Sequence, residues 1–245
     1  MALRVSAPAH LIDINGIEEL GRISVEADGS VCVRACVRHA AFEKAGAAGS
    51  LGALFSKVVD HIAHYPIRTR GTMCGSLANA DPASEWCLVA ATLEAEFTAA
   101  SRRGVRRIAA ADWFQGLMTT CLEPDELLIE VRFKPLSPQA VFGFQEFSRR
   151  SGDFALAMAL VVFDLRSGVI AEPRVGVGGV EPTPRRIAAA EEALRGARPS
   201  AQVFDKAARL AAEAVEPLTD PRYDAAYRRD LTRVMVRRAL EQACP

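Results

Sequence analysis

The run from Ile67 to Pro82, IRTRGTMCGSLANADP, concentrates residue types that can hold an anionic ligand. Gly71 and Gly75 carry no Cβ, so the backbone can approach a ligand closely, and successive N–H groups can converge on a diphosphate without a charged side chain. Thr72 and Ser76 add hydroxyl donors, and a helix expected to open near Pro82 to Ser84 would turn its N-terminus toward the same ligand. A structural turn has the same composition. On these residues alone a phosphate cradle and a plain turn are equally good readings.

Other chemistry-bearing residues are less suggestive. His61 and His64 stand at i and i+3 with no third histidine near them, which fits a pocket rim or helix end better than a metal site. His39 follows Arg38 at a strand exit and reads as structural. Gly176-Val177-Gly178-Gly179 leads into Glu181-Pro182-Thr183-Pro184, whereas a dinucleotide fingerprint opens a helix at its third glycine. A bend before a capped helix is the expectation there. Neither a Ser-His-Asp nor a Cys-His set occurs at a familiar motif. The six cysteines, Cys32, Cys36, Cys74, Cys87, Cys121 and Cys244, form no CxxC pair and are expected to be reduced thiols.

The elements around the central segment follow from periodicity. Leu11 to Ile14 reads as a short strand closed by Asn15-Gly16, and Ile23, Val25, Val31 and Val33 alternate around Asp28-Gly29 as in a tight hairpin. Leu51, Leu54, Phe55, Val58, Val59 and Ile62 fall at helical spacing behind Ser50 as N-cap, with Pro66 as the stop. Residues 66 to 84 read as a loop. A helix and a strand follow over 85 to 100, then a strand over Val105 to Ile108, a short helix around Trp113, and a strand over Leu127 to Phe133.

Pro135, Pro138 and Gly143 mark a seam, after which strands come first and helices last. Strands are expected over Val141 to Phe147, Leu156 to Leu165 and Val175 to Val180. Thr183 and Pro184 suit the start of a helix that Gly196 ends, and two more helices are expected near 200 to 215 and 222 to 242. On the last, Arg229, Arg233 and Arg237, with Arg228 and Arg238 beside them, form a basic side opposite Tyr227, Leu231 and Val234. A solvated face is the plain reading, with an acidic partner surface the alternative.

Composition limits the function classes. The chain has 245 residues, 50% of them hydrophobic and 24% charged, enough for one large domain or two modest ones. Its net charge of zero creates no overall field for nucleic acid or an anionic membrane. No apolar run approaches a membrane span, so the expectation is a cytoplasmic protein with neither nucleic acid nor membrane as partner.

The central segment, extended to Glu85, resembles the second flavin motif of the FAD-binding medium subunits of molybdenum hydroxylases, of the xanthine and carbon monoxide dehydrogenase type. The similarity continues in the family's order at LIDIN (Leu11 to Asn15), RH (Arg38 and His39), PDELL (Pro124 to Leu128), RRSGDFALA (Arg149 to Ala157) and YRRDLTRVMVRRAL (Tyr227 to Leu240). The resemblance implies an α+β fold: a vanillyl-alcohol-oxidase-type (PCMH) FAD-binding domain over residues 1–136, lacking its first lobe, and a CO-dehydrogenase-flavoprotein C-terminal-like α+β domain over 137–245.

By the same resemblance, Thr72, Met73, Cys74, Gly75 and Ser76 wrap the FAD phosphates and ribityl chain, and Glu85 contacts the cofactor's hydroxyl groups. Ile62 lines the flavin pocket, Leu128 lies near the isoalloxazine, and Arg149, Arg150 and Asp153 sit in the segment that passes the ring. The implied partners are a molybdopterin-binding large subunit and a small subunit with 2Fe–2S clusters, with NAD or another acceptor taking the electrons. A scaffold subunit that has lost the flavin is the alternative.

Two positions depart from the family pattern. Cys74 replaces the first glycine of a pair, at a cost of about 1 kcal/mol if φ there is positive. Met1 to Arg4 aligns with an interior segment of longer members, so an AGGQS-type loop that would supply the first phosphate grip is missing. A misassigned start, a shortened chain and a divergent paralog all account for that. Loss of this lobe is expected to leave strand edges and apolar surface uncovered.

Overall fold

A computed structural model describes residues 8–44 and 49–244; the Met1 to Arg4 match lies outside them. Two antiparallel sheets organise the molecule. The first has the order β1-β2-β7-β3-β4, formed by β1 (Ile23–Val25), β2 (Val31–Arg34), β3 (Glu96–Ser101), β4 (Gly104–Ala109) and β7 (Leu127–Phe133). The β1–β2 hairpin pairs Ile23 with Val33 and Val25 with Val31, and Gly29 takes the left-handed conformation (φ 80°) that its turn requires. A small ribbon of β5 (Phe114–Gly116) and β6 (Thr119–Thr120) follows a single helical turn, α5 (Ala110–Trp113).

On this sheet lies α3 (Met73–Asn79), against β2 and β7, while α1 (Gly49–Val59) and α4 (Glu85–Thr92) also pack toward the second sheet and the short α2 (Tyr65–Arg68) lies beside His39–Phe42. Four local expectations need correction. Leu11 to Ile14 forms no strand and pairs with neither sheet. Leu11 and Ile12 are 71% and 87% exposed, and the segment ends in a turn in which Asp13 Oδ1 accepts from the Asn15 N–H at 2.9 Å. Pro66 opens α2 instead of stopping α1, since its fixed φ suits a first helical turn. Ser50 lies inside α1, and the expected loop of residues 66 to 84 is largely α2 and α3.

The second sheet, order β11-β10-β9-β8, comprises β8 (Ala140–Phe147), β9 (Ala157–Arg166), β10 (Val169–Gly178) and β11 (Arg185–Arg186). Its β9 is buried on both faces. Met158, Leu160 and Val162 join the core shared with α1 and α4, whereas Ala157, Ala159, Val161 and Phe163 join a second core under α6 (Ala188–Leu194), α7 (Ala201–Ala214) and α8 (Ala225–Ala243). That double burial explains a nearly unbroken apolar strand.

Here, too, details differ from expectation. β10 begins at Val169, and its register shifts between Ala171 and Arg174, around Pro173, where a ladder N–H is absent. Thr183 and Pro184 lead into β11, and α6 starts only after Ile187. The glycines of the Gly176 to Gly179 run serve close packing: a Cβ on Gly176 would overlap Thr92 of α4, and one on Gly178 would meet Met158 Cε at 2.7 Å. Helices α7 and α8 start as their caps dictate, with Ser200 Oγ accepting from Val203 N–H and Asp224 Oδ1 from Tyr227 N–H. Arg228, expected on the exposed side of α8, is buried. No helix among the described residues is long and apolar enough to cross a membrane.

Candidate functional site

A cavity of about 690 Å³ opens where α1, α2, α3 and the start of α4 meet the turn after β8. The exit of β2 pairs with the residues ahead of α3: His39 N–H donates to Gly71 O at 3.0 Å, and Met73 N–H to Val37 O at 3.3 Å. Arg38 reaches over this bridge, its guanidinium donating to the Arg70 carbonyl and, at 2.6 Å, to Asn15 Oδ1. Asn15, Arg38, Thr72, Ser76 and Asn79 make part of the cavity wall polar. Ile14, Ile62, Ile67 and Phe154 supply an apolar part.

Thr72 is the N-cap of α3, its Oγ1 accepting from Gly75 N–H at 2.9 Å. A Cβ on Gly75 would stand 2.7 Å from that oxygen, so glycine preserves the cap. Ser76 N–H begins the helical ladder by donating to Thr72 O at 3.1 Å. The amides of Met73, Gly75 and Ser76 thus have internal acceptors, unlike the open amide cradle the composition suggested. Those of Thr72 and Cys74 have none among the described residues. Cys74 is helical and its φ is not positive, so the anticipated cost of a non-glycine residue does not arise.

His39 lines the cavity with its protonation fixed. Trp86 Nε1–H donates to His39 Nδ1 at 2.9 Å, which leaves the hydrogen of the neutral ring on Nε2. Burial, reinforced by Arg38 and Arg68, pushes the imidazole down to about 4. Burial raises the thiols of Cys74 and Cys87, so neither is a thiolate at neutral pH. Glu85, the first residue of α4, is a buried member of the cavity wall, and its carboxyl lies beside that of Glu146 on β8. Both carboxyls lie well above the usual range, chiefly through burial.

Of the residues singled out from sequence, Ile62, Thr72, Gly75, Ser76, Glu85 and Asp153 come together on the cavity wall. Met73 and Cys74 turn into the core beneath it, and Leu128 is buried in β7 away from the wall. Arg149 and Arg150 are exposed in the turn after β8 and do not line it. The sequence assigned no ligand role to Asn15, Arg38, His39 (expected to be structural), Asn79 or Phe154, all of which line the cavity. All five lie in stretches that carry the family resemblance, and no spacing rule announces their chemical role.

A buried arginine braces the cavity from behind. Arg228 Nη1 donates to Leu156 O and Gly179 O at 3.1 and 3.0 Å, and Nη2 to Asp220 Oδ2 at 2.9 Å. Gly179 N–H in turn donates to Pro82 O at 2.8 Å, so α8 is linked to both segments that deliver Asp153 and Glu85. Replacing Arg228 with methionine should cost about 2–4 kcal/mol, because two carbonyls and a carboxylate lose their donor. Urea denaturation checks this, and a cost under about 0.5 kcal/mol would deny the brace.

The fold and the site together define a dehydrogenase flavoprotein class. Residues 1–135 match the FAD binding domain in molybdopterin dehydrogenase, and residues 142–243 match the CO dehydrogenase flavoprotein C-terminal domain. The nicotine 6-hydroxylase medium subunit of Paenarthrobacter nicotinovorans is 34% identical over 99% of this chain and 85% of its own. The carbon monoxide dehydrogenase medium chain of Afipia carboxidovorans is 32% identical over 99% and 84%. Among solved structures, carbon monoxide dehydrogenase from Hydrogenophaga pseudoflava superposes with a TM-score of 0.91 at 31% identity, covering 98% of this chain and 84% of that one. Quinoline 2-oxidoreductase from Pseudomonas putida 86 gives 0.90 at 33%, covering 99% and 84%. The chain belongs to the FAD-binding medium-subunit family of the molybdenum hydroxylases, and is an oxidoreductase subunit.

Proposed function

We infer that the cavity holds FAD and that the chain relays electrons from the 2Fe–2S clusters of a small subunit to NAD or another acceptor. A molybdopterin-binding large subunit oxidises the substrate, the assembly is cytoplasmic, and the chain divides into functional units at 1–136 and 137–245. The observation that carries the reading is the cavity's amphiphilic wall, in a chain of this family. Hydroxyls, two carboxamides, a guanidinium and the Thr72 N–H, which has no internal acceptor among the described residues, suit a diphosphate and its ribityl chain. Isoleucine and phenylalanine suit a planar ring.

When bound, the flavin supplies the redox chemistry and exchanges electrons between one-electron clusters and an acceptor. The chain's residues bind and orient. Thr72 and Ser76 donate from the lip of α3, Arg38 offsets anionic charge, Glu85 accepts from hydroxyl groups, and Ile62 and Phe154 keep water from the apolar part. His39, fixed as an Nε2–H donor, adds no charge.

Purified chain incubated with FAD should show flavin absorption bands that survive gel filtration. Ser76→Glu, which places a carboxylate among the anion's donors, should weaken binding at least about 100-fold, near 2.7 kcal/mol. Colourless wild-type protein after that incubation would replace this reading with a scaffold that kept the fold without the flavin.

A further inference from the structure

Glu85 reaches the cavity from the first turn of α4 and is 9% exposed. None of the ion pairs among the described residues involves it; its side-chain partner is the carboxyl of Glu146. Two carboxylates cannot bond to each other because neither has a hydrogen to give, so one of them carries a proton. The surroundings decide which. Glu85 heads a helix, where negative charge is favoured, and its own backbone N–H bonds to the carboxyl. Glu146 has no such help: its Oε2 is buried without a hydrogen-bond partner, and Glu85 is the one charged group that bears on it.

Among the described residues, the neighbouring elements bring no cation to the pair. On the same face of β8, Phe144 packs edge-on against His61 at 4.9 Å; burial lowers the proton affinity of that ring, and Lys57 and Asp60 act on it rather than on Glu146. Across the ladder on β9 stands Met158. From α8, Gln242 Oε1 accepts from Phe144 N–H at 2.8 Å. Ahead of α4, Asp81 adds a further negative charge.

We propose that Glu146 is a positioning residue: as a neutral acid it donates its proton to Glu85, and so holds Glu85 as a carboxylate facing the hydroxyl groups of the bound cofactor. This rests on the cofactor reading above. A carboxylate accepts through about four lone-pair sites, so one donor from behind leaves the remainder for a ligand. An arginine in that place would compete for them. When Glu146 loses its proton to solvent at high pH, two buried carboxylates face each other and Glu85 is no longer held.

Infrared spectra and FAD titrations on the full chain test the proposal. At about pH 7 a neutral-carboxyl C=O band should be present in wild type and in Glu85→Gln, and absent in Glu146→Gln. Glu146→Gln, whose amide is a permanent donor of the same shape, should bind FAD within about threefold of wild type, and Glu146→Ala about tenfold or more weakly. Wild type should lose about tenfold in affinity between about pH 7 and pH 9, and Glu146→Gln should not. A band that vanishes in Glu85→Gln and persists in Glu146→Gln overturns the proposal, as does wild-type affinity in Glu146→Ala. Wild-type chain that binds no FAD sinks the cofactor reading instead, and the infrared band then decides the placement of the proton by itself.

Discussion

Gly143→Ala should destabilise the protein by about 3 kcal/mol, at the upper end of what overpacking costs, and lower the melting temperature by about 6–12 °C. Helix α8 crosses β8 at this residue, and a Cβ built there overlaps the backbone carbonyl of Ala239. A flexible side chain could swing aside, but this oxygen belongs to the middle of a helix whose Met235, Val236, Ala239 and Leu240 are buried in the second core. To admit the methyl group, either α8 lifts from the sheet or β8 shifts against β9, where Gly143 pairs with Val161. The next residue ties the same elements, since Phe144 N–H donates to Gln242 Oε1. Gly21→Ala is the control: no atom comes within 4 Å of its added Cβ, and a change under about 0.5 kcal/mol is expected. Equal thermal midpoints for the two variants would mean that α8 does not lie this close to β8.

Such close approaches show where sequence reading succeeds and where it stops. The strands β7, β8 and β9 and the helices α7 and α8 were legible because apolar periodicity and capping residues report local conformation and burial directly. The Leu11 to Ile14 segment has the composition of a strand, but a strand exists only where an edge accepts it, and edge availability is a property of the whole fold. Residues 73 to 79 have the composition of a loop, since Gly75, Ser76 and Asn79 are poor helix formers. Burial of Met73, Cys74 and Leu77 and the Thr72 cap outweigh that weakness.

At the site, motif resemblance supplied Thr72, Gly75, Ser76 and Glu85, yet it could not separate side chains that face the cavity from Met73 and Cys74 beneath them. Arg228 and Glu146 lie beyond any local pattern. Each is a charged residue type in a segment whose neighbours alternate in the ordinary way, and only the approach of α8 to Gly179, or of β8 to α4, gives it a role. Legibility fell off where function depends on which element arrives from the other sheet.

The same meeting of β8 and α4 makes stability depend on pH in a direction opposite to that of a salt-bridged carboxyl. Burial first, and then Glu85, raises Glu146 from an ordinary 4.5 to about 8. A carboxyl that binds its proton more tightly in the folded state stabilises that state fully below its unfolded value, and the contribution drains away as pH rises through the folded one. Wild type should therefore lose stability progressively between about pH 4.5 and pH 8. Glu146→Gln does not titrate and keeps a donor toward Glu85, so its advantage over wild type should be small near pH 5, grow across that window and level off above about pH 8. At about 1.4 kcal/mol per unit the full shift is worth over 4 kcal/mol, and solvent screening at this half-buried side chain reduces the expected gain to about 2–3 kcal/mol. Urea midpoints measured at about pH 5 and pH 8 on both proteins give the difference directly. A Glu146→Gln advantage that stays constant between the two, or that shrinks at the higher pH, would mean that Glu146 is ionised in the folded chain and that the buried contact with Glu85 is not held by a proton.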